Sequence, residues 1–321
     1  MTTMRVLITG GLGVNGAWVT RELVDRGIET VVIDNREDFS LLGARYVERI
    51  DFEKVDIRIR DHILDVLERH KISAVVHMAA AVGHQDIDPN PAGTFEINAL
   101  ATINLLEAAR CVGVNRFIFA SSRAVYGSLN GCFGPPTYRP VDETNATHHE
   151  ATYDLCKIIG ERFGEAFAAI SDMEFAALRF STIFGPGKTT RHGRFGALSK
   201  LIENPFYGEP VTIPVGGDQV DDMIYAQEAA RGVVAALLAP TLPNSIYNIA
   251  TGRGYTLHDV ARAVRQYYPN AEISIGDGLN YLGSSVNYSG ILSPERAQHD
   301  LGFSASTDLS SAIGKYYEAL S

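Results

Sequence analysis

Cysteine and long apolar runs are both scarce in this sequence. Its three cysteines, Cys111, Cys132 and Cys156, are widely spaced and form no Cys-x-x-Cys pair, so neither a disulfide framework nor a zinc knuckle is indicated. No cluster of ligand-type residues at metal spacing predicts a metal site. No apolar run approaches the ~20 residues of a membrane span, and the first apolar stretch is too short for a signal peptide. We therefore expect a cytoplasmic protein without a membrane partner.

Positive charge is also in short supply. The 321 residues carry 28 Lys and Arg against 38 Asp and Glu, which gives a formal net charge of −10. Nucleic acids and anionic membranes bind basic surfaces, so this balance argues against general nucleic-acid binding. It leaves room for one anionic ligand held by a local group of cations. The length and the hydrophobic content of 45% fit one large globular domain or two moderate ones.

Strand and helix patterns alternate through the first third of the chain. Strands are predicted at residues 6–9, 30–33, 54–57, 74–77, 117–120, 175–179 and 246–249. Leucine, isoleucine and alanine recur at spacings of three and four over residues 17–26, 61–70 and 94–112, which predicts helices between strands. Such alternation is typical of α/β proteins, and we predict a doubly wound parallel sheet of the Rossmann type.

A glycine-rich loop follows the first predicted strand and precedes the first predicted helix. Residues 10–16 satisfy both G-x-G-x-x-G and G-x-x-G-x-x-G. Glycine lets the backbone approach a pyrophosphate, and the free N–H groups of a helix N-terminus bind phosphate. In this context the motif predicts a dinucleotide-binding site, with a plain glycine-rich turn as the alternative. The candidate contacts are Gly10, Gly13, Val14, Asn15 and Gly16.

Carboxylates end the second and third predicted strands. Asp34, followed by Asn35, lies about 20 residues beyond the loop, where it would accept hydrogen bonds from both ribose hydroxyls of an adenosine. A carboxylate there repels a 2′-phosphate and favours NAD over NADP, although the cation of Arg36 would offset this repulsion. Asp56 and Ile57 end the third strand, near the expected adenine. A solvated strand-end aspartate is the alternative interpretation.

Glycine and proline interrupt the alternating pattern from about residue 180, which predicts a smaller C-terminal substrate-binding lobe. We assign residues 1–178 plus about 218–252 to an NAD-binding domain, and about 179–217 plus 253–321 to the lobe. In this division strand 246–249 rejoins the parallel sheet. Thr256 and Asp259 fit a capping box at the start of a late helix, and Ser293, Pro294 and Glu295 are predicted to begin another in the same manner.

A tyrosine and a lysine four residues apart suggest catalysis. Tyr153 and Lys157 share one face of a predicted helix, although an exposed pair gives the same spacing. A neighbouring ammonium, together with a positive nicotinamide, favours phenolate, so we expect a lowered pKa for Tyr153 and proton transfer by its hydroxyl. Ser121 and Ser122 follow a predicted buried strand, where a hydroxyl would hydrogen-bond the reacting oxygen.

These motifs together resemble the extended short-chain dehydrogenase/reductases and, within them, the NAD-dependent epimerase/dehydratase family. The matching segments run in order over most of residues 4–260. They are the glycine loop, Asp34, the segment His77-Met78-Ala79-Ala80, Asn98, Ser121-Ser122, Tyr126-Gly127, Tyr153, Lys157, Leu178-Arg179-Phe180 and Gly185-Pro186-Gly187.

The resemblance implies bound NAD and a role for each matched residue. It favours Ser122 over Ser121 as the hydroxyl, Tyr153 as acid and base, and Lys157 as the residue that lowers the pKa of that tyrosine and holds the nicotinamide ribose. Asn98 would support the lysine through water. Ala79 and Ala80, at a strand end, would contact the cofactor. A dimer is also implied, through a four-helix bundle built from residues 94–112 and 150–170 of each chain.

Three departures from the family pattern narrow the chemistry. Arg123 and Ala124 replace the Asp-Glu pair of the 4,6-dehydratases, so dehydration is not expected. Thr182 replaces an asparagine that contacts the sugar in many epimerases. Asp221 replaces an arginine that pairs with the diphosphate of nucleotide sugars, and an acid beside a diphosphate would cost binding energy. These changes put a nucleotide-sugar substrate in question.

Several basic residues lie where a substrate loop is expected. Arg123 and the loop cations would bind a sugar acid, a sugar phosphate or another small anion, or else form a solvated basic surface. The loop cations are Lys188, Arg191, His192 and Arg194. His84 lies either in a substrate loop or in an ordinary surface loop.

We predict an NAD-dependent enzyme that oxidises a secondary alcohol of a sugar or sugar derivative. The first hypothesis is epimerisation through a 4-keto intermediate with a retained cofactor. The alternative is a net dehydrogenase of a small sugar acid or other non-nucleotide substrate, which would release NADH. A more remote alternative is an NAD-sensing protein without turnover, although such proteins typically lack the Tyr/Lys pair.

Overall fold

A seven-stranded parallel sheet forms the centre of the protein in the computed structural model, which describes residues 4–82, 90–191, 196–284 and 286–321. The strand order is β10-β6-β5-β4-β1-β2-β3. Its strands are β1 (Arg5–Thr9), β2 (Glu29–Asp34), β3 (Asp51–Lys54), β4 (Ala74–His77), β5 (Arg116–Ala120), β6 (Glu174–Phe180) and β10 (Ile246–Ile249). The order reverses between β1 and β4, which is where doubly wound sheets bind ligands. The predicted fold class is confirmed.

Helices cover both faces of this sheet because successive side chains of a strand point to opposite faces. Val6 and Ile8 pack on one side, in a core shared with α1 (Gly16–Asp25) and α9 (Ala226–Leu238). Leu7 packs on the other side. The helices there are α3 (Arg60–Arg69), α4 (Pro91–Phe95), α5 (Ala101–Val112) and α6 (Thr152–Ala169). Short helix α2 (Ala44–Val47) and a 3₁₀ turn (Phe39–Leu41) follow β2.

The third strand and the fourth helical region differ from the sequence prediction. Strand β3 ends at Lys54 instead of continuing over 54–57, because the Asp56 carboxylate accepts from the backbone N–H of Arg58 at 3.0 Å and turns the chain. Val55 and Ile57 are buried in the following loop. The predicted helix 94–112 is interrupted by a π turn over Glu96–Leu100, a feature often found at functional sites.

Two smaller sheets and a second core form the C-terminal lobe. One sheet orders its strands as β11-β9-β7 and the other pairs β12 with β8. The strands are β7 (Thr182–Phe184), β8 (Val211–Ile213), β9 (Asp221–Tyr225), β11 (Gly254–Tyr255) and β12 (Ile273–Ile275), and the helices are α7 (Lys188–Arg191), α8 (Ala197–Phe206), α10 (Leu257–Tyr267), α11 (Glu295–Leu301) and α12 (Leu309–Leu320). Within the described ranges, no helix combines the length and apolarity needed to span a bilayer.

Two predictions about the second half of the chain are confirmed and one is wrong. Strand β10 pairs in parallel with β6, so it does rejoin the main sheet. Thr256 and Asp259 form the capping box at the start of α10. Helix α11 starts differently, because its N-cap is Pro294, which has no side-chain acceptor to offer. Ser293 accepts there only a long hydrogen bond of 3.4 Å from Glu295 N–H.

Candidate active site

A cavity of about 650 Å³ opens at the C-terminal edge of the parallel sheet. The glycine loop, the ends of β2, β4 and β5, and helix α6 form one part of its wall. Residues from β7, α7 and α8 of the lobe complete the wall on the opposite side. The cavity therefore brings most of the sequence-predicted cofactor and catalytic residues to one place.

The glycine loop leaves space for a ligand and none for side chains. Gly10 has φ +65°, and a Cβ there would lie 2.7 Å from Ala79 Cα. A Cβ at Gly16 would lie 2.0 Å from Gly10 O. Helix α1 begins at Gly16 with no acidic residue in its first turn, and the buried Asn15 Oδ1 has no hydrogen-bond partner among the described residues. A close turn and an open helix N-terminus fit a bound pyrophosphate.

Asp34 is held in a fixed orientation at the end of β2. Its carboxylate accepts from Leu12 N–H at 3.2 Å and from Arg36 N–H at 3.1 Å. Asn35 lines the cavity beside it. Asp56 also lines the cavity, together with Ile57, but its carboxylate is paired with Arg58. Hydrogen bonding to Arg58 lowers the pKa of the Asp56 carboxyl.

Thr9 and His77 fix the end of strand β4. Ala79 and Ala80 line the cavity, and Ala79 N–H donates to Thr9 Oγ1 at 3.2 Å. His77 bridges Thr9 Oγ1 at 2.6 Å and Thr102 Oγ1 at 2.9 Å. Burial, with the Lys157 ammonium nearby, lowers the pKa of His77 to about 3.

Asn98 lies in the π turn and contacts the backbone after β4. Its Oδ1 accepts from Ala81 N–H and its Nδ2 donates to Ala81 O, both at 2.7 Å. The side chain is buried and is not part of the cavity wall. The structure therefore ties Asn98 to Ala81, and its support of Lys157 through water stays a prediction.

The two serines after β5 have different partners. Ser121 Oγ donates to the buried Glu161 at 2.6 Å. Ser122 caps a 3₁₀ turn (Arg123–Tyr126) by accepting from Ala124 N–H at 3.1 Å, and its hydroxyl hydrogen-bonds the Tyr153 side chain. Of the two serines, Ser122 is thus the one placed beside the phenol, as the family resemblance implies.

Lys157 lies one turn of α6 beyond Tyr153. Its ammonium donates to Ala120 O at 2.6 Å and lies 5.5 Å from the centre of the Tyr153 ring. Burial lowers the pKa of Lys157 to about 8. Burial also raises the pKa of Tyr153 to about 12, against the opposing effect of the Ser122 hydrogen bond. In the chain alone, desolvation of the phenol exceeds the effect of its neighbours on this pKa, and the lowering expected with a positive nicotinamide stays a prediction.

A buried ionic network behind the candidate catalytic residues was missed by sequence reasoning. Arg179 donates to Glu161 through Nε at 2.9 Å and Nη2 at 2.7 Å, and to the Tyr126 hydroxyl at 2.9 Å. Tyr126 in turn donates to Asn248 at 2.9 Å. The network ties β5, α6, β6 and β10 together beneath Ser121. One signal was available, since Glu161 follows Lys157 by four residues and so lies on the same helix face.

Arg123 and Asp221 form a buried ion pair at the substrate side of the cavity. Arg123 Nη1 donates to Asp221 Oδ1 at 3.0 Å and to Thr182 Oγ1 at 3.3 Å. Asp221 also accepts from Gln219 at 2.9 Å and hydrogen-bonds the Tyr281 hydroxyl. Sequence reasoning treated Arg123 and Asp221 as separate departures and missed both their pairing and the contribution of Gln219 and Tyr281.

The basic residues of the predicted substrate loop have different surroundings in the structure. Arg191 donates to Leu12 O at 3.0 Å and to the Asp38 carboxylate at 2.5 Å, so its guanidinium lies against the glycine loop. Arg191 also lines the cavity, and its contact with a substrate stays a prediction. Lys188 lines the cavity and donates to Ile183 O. His84, His192 and Arg194 lie outside the described residues.

The fold and this site are those of a nucleotide-binding α/β oxidoreductase. The match to a family model identifies the chain as a member of the NAD dependent epimerase/dehydratase family, over residues 6–250. NAD is therefore its cofactor, as predicted.

Proteins of known activity and structure resemble most of the chain. UDP-glucose 4-epimerase of Mus musculus is 29% identical over 293 residues, which cover 82% of each chain. The crystal structure of UDP-glucose 4-epimerase from Thermus thermophilus in complex with NAD is 27% identical, with 98% of each chain covered and a TM-score of 0.82. MoeE5 in complex with UDP-glucuronic acid and NAD is 28% identical, again with 98% of each chain covered and a TM-score of 0.81.

Proposed function

We propose that this NAD-dependent enzyme inverts a secondary alcohol of a sugar by oxidation and re-reduction, with Ser122, Tyr153 and Lys157 as its catalytic residues. The observation that carries the proposal is the placement of these three side chains in one cavity, beside a glycine loop that fits a pyrophosphate. The similarity to UDP-glucose 4-epimerases over most of the chain supports the same chemistry.

NAD would be held by residues at the C-terminal ends of strands β1, β2 and β4. The backbone from Gly10 to Gly16 would bind the pyrophosphate, and Asp34 would accept from the adenosine ribose. Ala79 and Ala80 would lie along the cofactor, and Lys157 would donate to the nicotinamide ribose. When bound, the nicotinamide supplies the hydride acceptor and donor, and its positive charge when oxidised favours the phenolate of Tyr153.

Tyr153 would move the proton while Ser122 fixes the reacting oxygen. In the chain alone burial raises the pKa of Tyr153 to about 12. A positive nicotinamide would lower this pKa, so that the phenolate would take the alcohol proton during oxidation and return it to the carbonyl oxygen during re-reduction. The Lys157 ammonium lies close enough to stabilise the phenolate left behind. The Ser122 hydroxyl, already bonded to Tyr153, would bond the same substrate oxygen.

A cofactor that stays bound favours epimerisation over net oxidation. Arg191 joins the lobe to Leu12 of the glycine loop and to Asp38 beyond β2. Gly187, with φ +91°, lies so close to Leu41 that a Cβ would be 2.7 Å from Leu41 Cδ2. The lobe thus closes over the cofactor side of the cavity. A net dehydrogenase of a sugar acid remains the second candidate, supported by Asp221 at the family's diphosphate arginine position.

The test is to assay purified protein with UDP-glucose, UDP-glucuronic acid and the free sugars. We expect the C4 epimer to form, detected by NMR, without accumulation of the NADH absorbance band. Stoichiometric NADH in solution would instead identify a dehydrogenase. Tyr153→Phe should abolish turnover while NAD remains bound, and Tyr207→Phe, on the exposed surface of the lobe, should not. Full activity of Tyr153→Phe would refute the mechanism.

A further inference from the structure

Arg123 has hydrogen-bonding capacity that the protein does not use. It lines the cavity immediately after Ser122, yet it is only 7% exposed. Its Nη1 serves Asp221 and Thr182. Among the hydrogen bonds of the described residues, none involves its Nε or Nη2. Neither atom is among the buried polar atoms that lack a partner within the described residues, so both N–H groups stay accessible, and the acceptors of a ligand can replace water on them.

The unpaired edge of Arg123 is the one that suits a carboxylate. Nε and Nη2 lie on the same side of a guanidinium and present two parallel N–H groups, which match the two oxygens of a carboxylate. The protein uses this edge elsewhere, since Arg179 holds Glu161 through Nε at 2.9 Å and Nη2 at 2.7 Å. Arg123 leaves the same edge open.

Asp221 keeps this edge in place. Its carboxylate holds Arg123 Nη1 while it is itself held by Gln219 and by the Tyr281 hydroxyl. The Arg123 guanidinium on the substrate side of the cavity is thus held in one orientation by the carboxylate of Asp221. Arg123 lines the same cavity as Ser122 and Tyr153.

The local charge also favours an anion. The Arg123–Asp221 pair is neutral in sum, and Lys188 adds a positive charge to the cavity wall without a carboxylate partner among the described residues. The carboxylates that line the cavity, Asp34, Asp38 and Asp56, follow β2 and β3 at the cofactor end. A substrate carboxylate near Arg123 would therefore not face an unpaired acid.

We propose that Arg123 binds a carboxylate of the substrate through Nε and Nη2, and that the substrate is a sugar acid or a derivative of one. The proposal rests on the proposed function in one respect, because Ser122 marks the position of the reacting oxygen. In a sugar oxidised at C4, a C6 carboxylate lies on the neighbouring carbon C5. Arg123 is then a specificity-determining residue that separates uronic acids from neutral sugars.

The test compares matched acidic and neutral ligands on NAD-loaded protein by titration calorimetry. The pairs are glucuronate with glucose, and UDP-glucuronic acid with UDP-glucose. We expect wild type to bind the acid of at least one pair more tightly, and Arg123→Lys to weaken that binding by about 10-fold or more because it loses the paired N–H groups. Binding of the neutral partner should change less than about threefold.

Three outcomes would overturn the proposal. In the first, wild type binds neither acid more tightly than its neutral partner. In the second, Arg123→Lys lowers the affinity for the acid and for the neutral sugar by the same factor. The third is tighter binding of glucose 1-phosphate than of glucuronate that disappears in Arg123→Lys, which would assign the edge to a phosphate.

Folding and turnover are controlled separately. Lysine keeps a cation opposite Asp221, and the double variant Arg123→Gln/Asp221→Asn removes both charges, so the buried acid is never left alone. Thermal unfolding of both variants identifies any loss of fold. If the acid preference holds but no ligand is epimerised or oxidised, the proposed function fails and the carboxylate site stands. If turnover occurs with no acid preference, the carboxylate site fails and the proposed function stands.

Discussion

At the scale of single residues, His77 shows how burial of a titratable ring makes stability depend on pH. Its ring bridges Thr9 and Thr102 in the core, and its pKa is lowered to about 3. The unfolded chain binds a proton near pH 6.5, so it gains protons over the folded state below that pH. The contribution of His77 to stability is thus complete above pH 6.5 and is lost as the pH falls towards 3.

We therefore predict that His77→Gln flattens the acid side of the stability profile. Wild type should lose up to about 1.4 kcal/mol more than the variant for each pH unit between about 6.5 and about 3. Urea unfolding at several pH values measures the difference, and the slopes above pH 7 serve as the internal control. If stability changed with pH in the same way in both proteins, His77 would not be a neutral, buried imidazole in the folded state.

The neighbouring serines predict two distinct losses. Ser122→Ala should lower kcat by about 10²-fold or more, since it removes the hydroxyl beside the phenol. Loss of the cap on the 3₁₀ turn should cost about 1 kcal/mol of stability in addition. Ser121→Ala removes the donor to Glu161 inside the buried network, so its main effect should be on stability, by about 1–3 kcal/mol. Steady-state kinetics and thermal unfolding on both variants check this division. A reversed pattern would assign catalysis to Ser121.

Candidate site residues could be predicted from the sequence more readily than the side chains they contact. Tyr153 and Lys157 could be paired because a helix places i and i+4 on one face. Arg123 and Asp221 could not, since they are 98 positions apart and meet only once β9 has packed beside β7. The raised pKa of Tyr153 was missed for a similar reason, because burial is a property of the whole site.

At the scale of elements, the glycine loop offers a matched pair of substitutions. Gly10→Ala and Gly113→Ala both place alanine at a positive φ, +65° and +76°, but a Cβ at Gly113 meets no atom within 4 Å. Both should lose about 1–2 kcal/mol of stability from backbone strain, and Gly10→Ala should lose more because its Cβ would lie 2.7 Å from Ala79 Cα. Only Gly10→Ala should also weaken NAD binding, by about 10-fold or more, because its Cβ pushes against Ala79 at the cofactor cradle. Equal NAD affinities of the two variants would contradict a role of Gly10 in binding the cofactor.

Helix α7 should control how long the cofactor stays bound. Arg191→Ala removes the contacts to Leu12 O, Asp38 and Ser40, so we expect NAD to dissociate faster by about 5-fold or more. Arg262→Ala, which breaks an exposed pair on α10, is the control. Stopped-flow release of NADH fluorescence measures both rates. An unchanged rate in Arg191→Ala would show that the contact does not retain the cofactor.

Helix boundaries were predicted well where a local signal exists. The capping box of Thr256 and Asp259 marked the start of α10. The π turn at Glu96–Leu100 has no comparable signal, because the apolar spacing on either side continues through it. Strand β3 was placed too late because Val55 and Ile57 are buried in a loop, and periodicity alone does not separate a buried loop from a strand.

At the scale of the whole molecule, an unpartnered apolar surface supports the dimer that the resemblance implies. Helices α5 and α6 pack side by side, and Phe95, Leu100, Leu155 and Phe163 on or near them are between 36% and 46% exposed. We propose that a second copy covers these side chains. Sedimentation should give about twice the chain mass of 34.9 kDa, and Phe163→Glu should shift it towards one chain, whereas Tyr207→Glu should not. A monomeric wild type would refute the dimer.

The alternation of strand and helix patterns in the sequence predicted a parallel sheet, but it did not predict the order of the strands. Six of the seven strands lie within the first 180 residues, and β10 reaches the sheet only after the first part of the lobe. The return of β10 was predicted from a short apolar run. The small sheets of the lobe had no such pattern, because their strands are two to five residues long.

The late return of β10 sets the order in which the chain folds during synthesis. Strand β6 is buried over Phe175–Phe180 and apolar there except at Arg179, with β5 on one side and β10 on the other. Until residue 249 leaves the ribosome, at about 5–20 residues per second, β6 is an open edge that invites pairing with other chains. A chain cut before β10 would leave the β6 edge unpaired, and we expect it to aggregate rather than bind NAD.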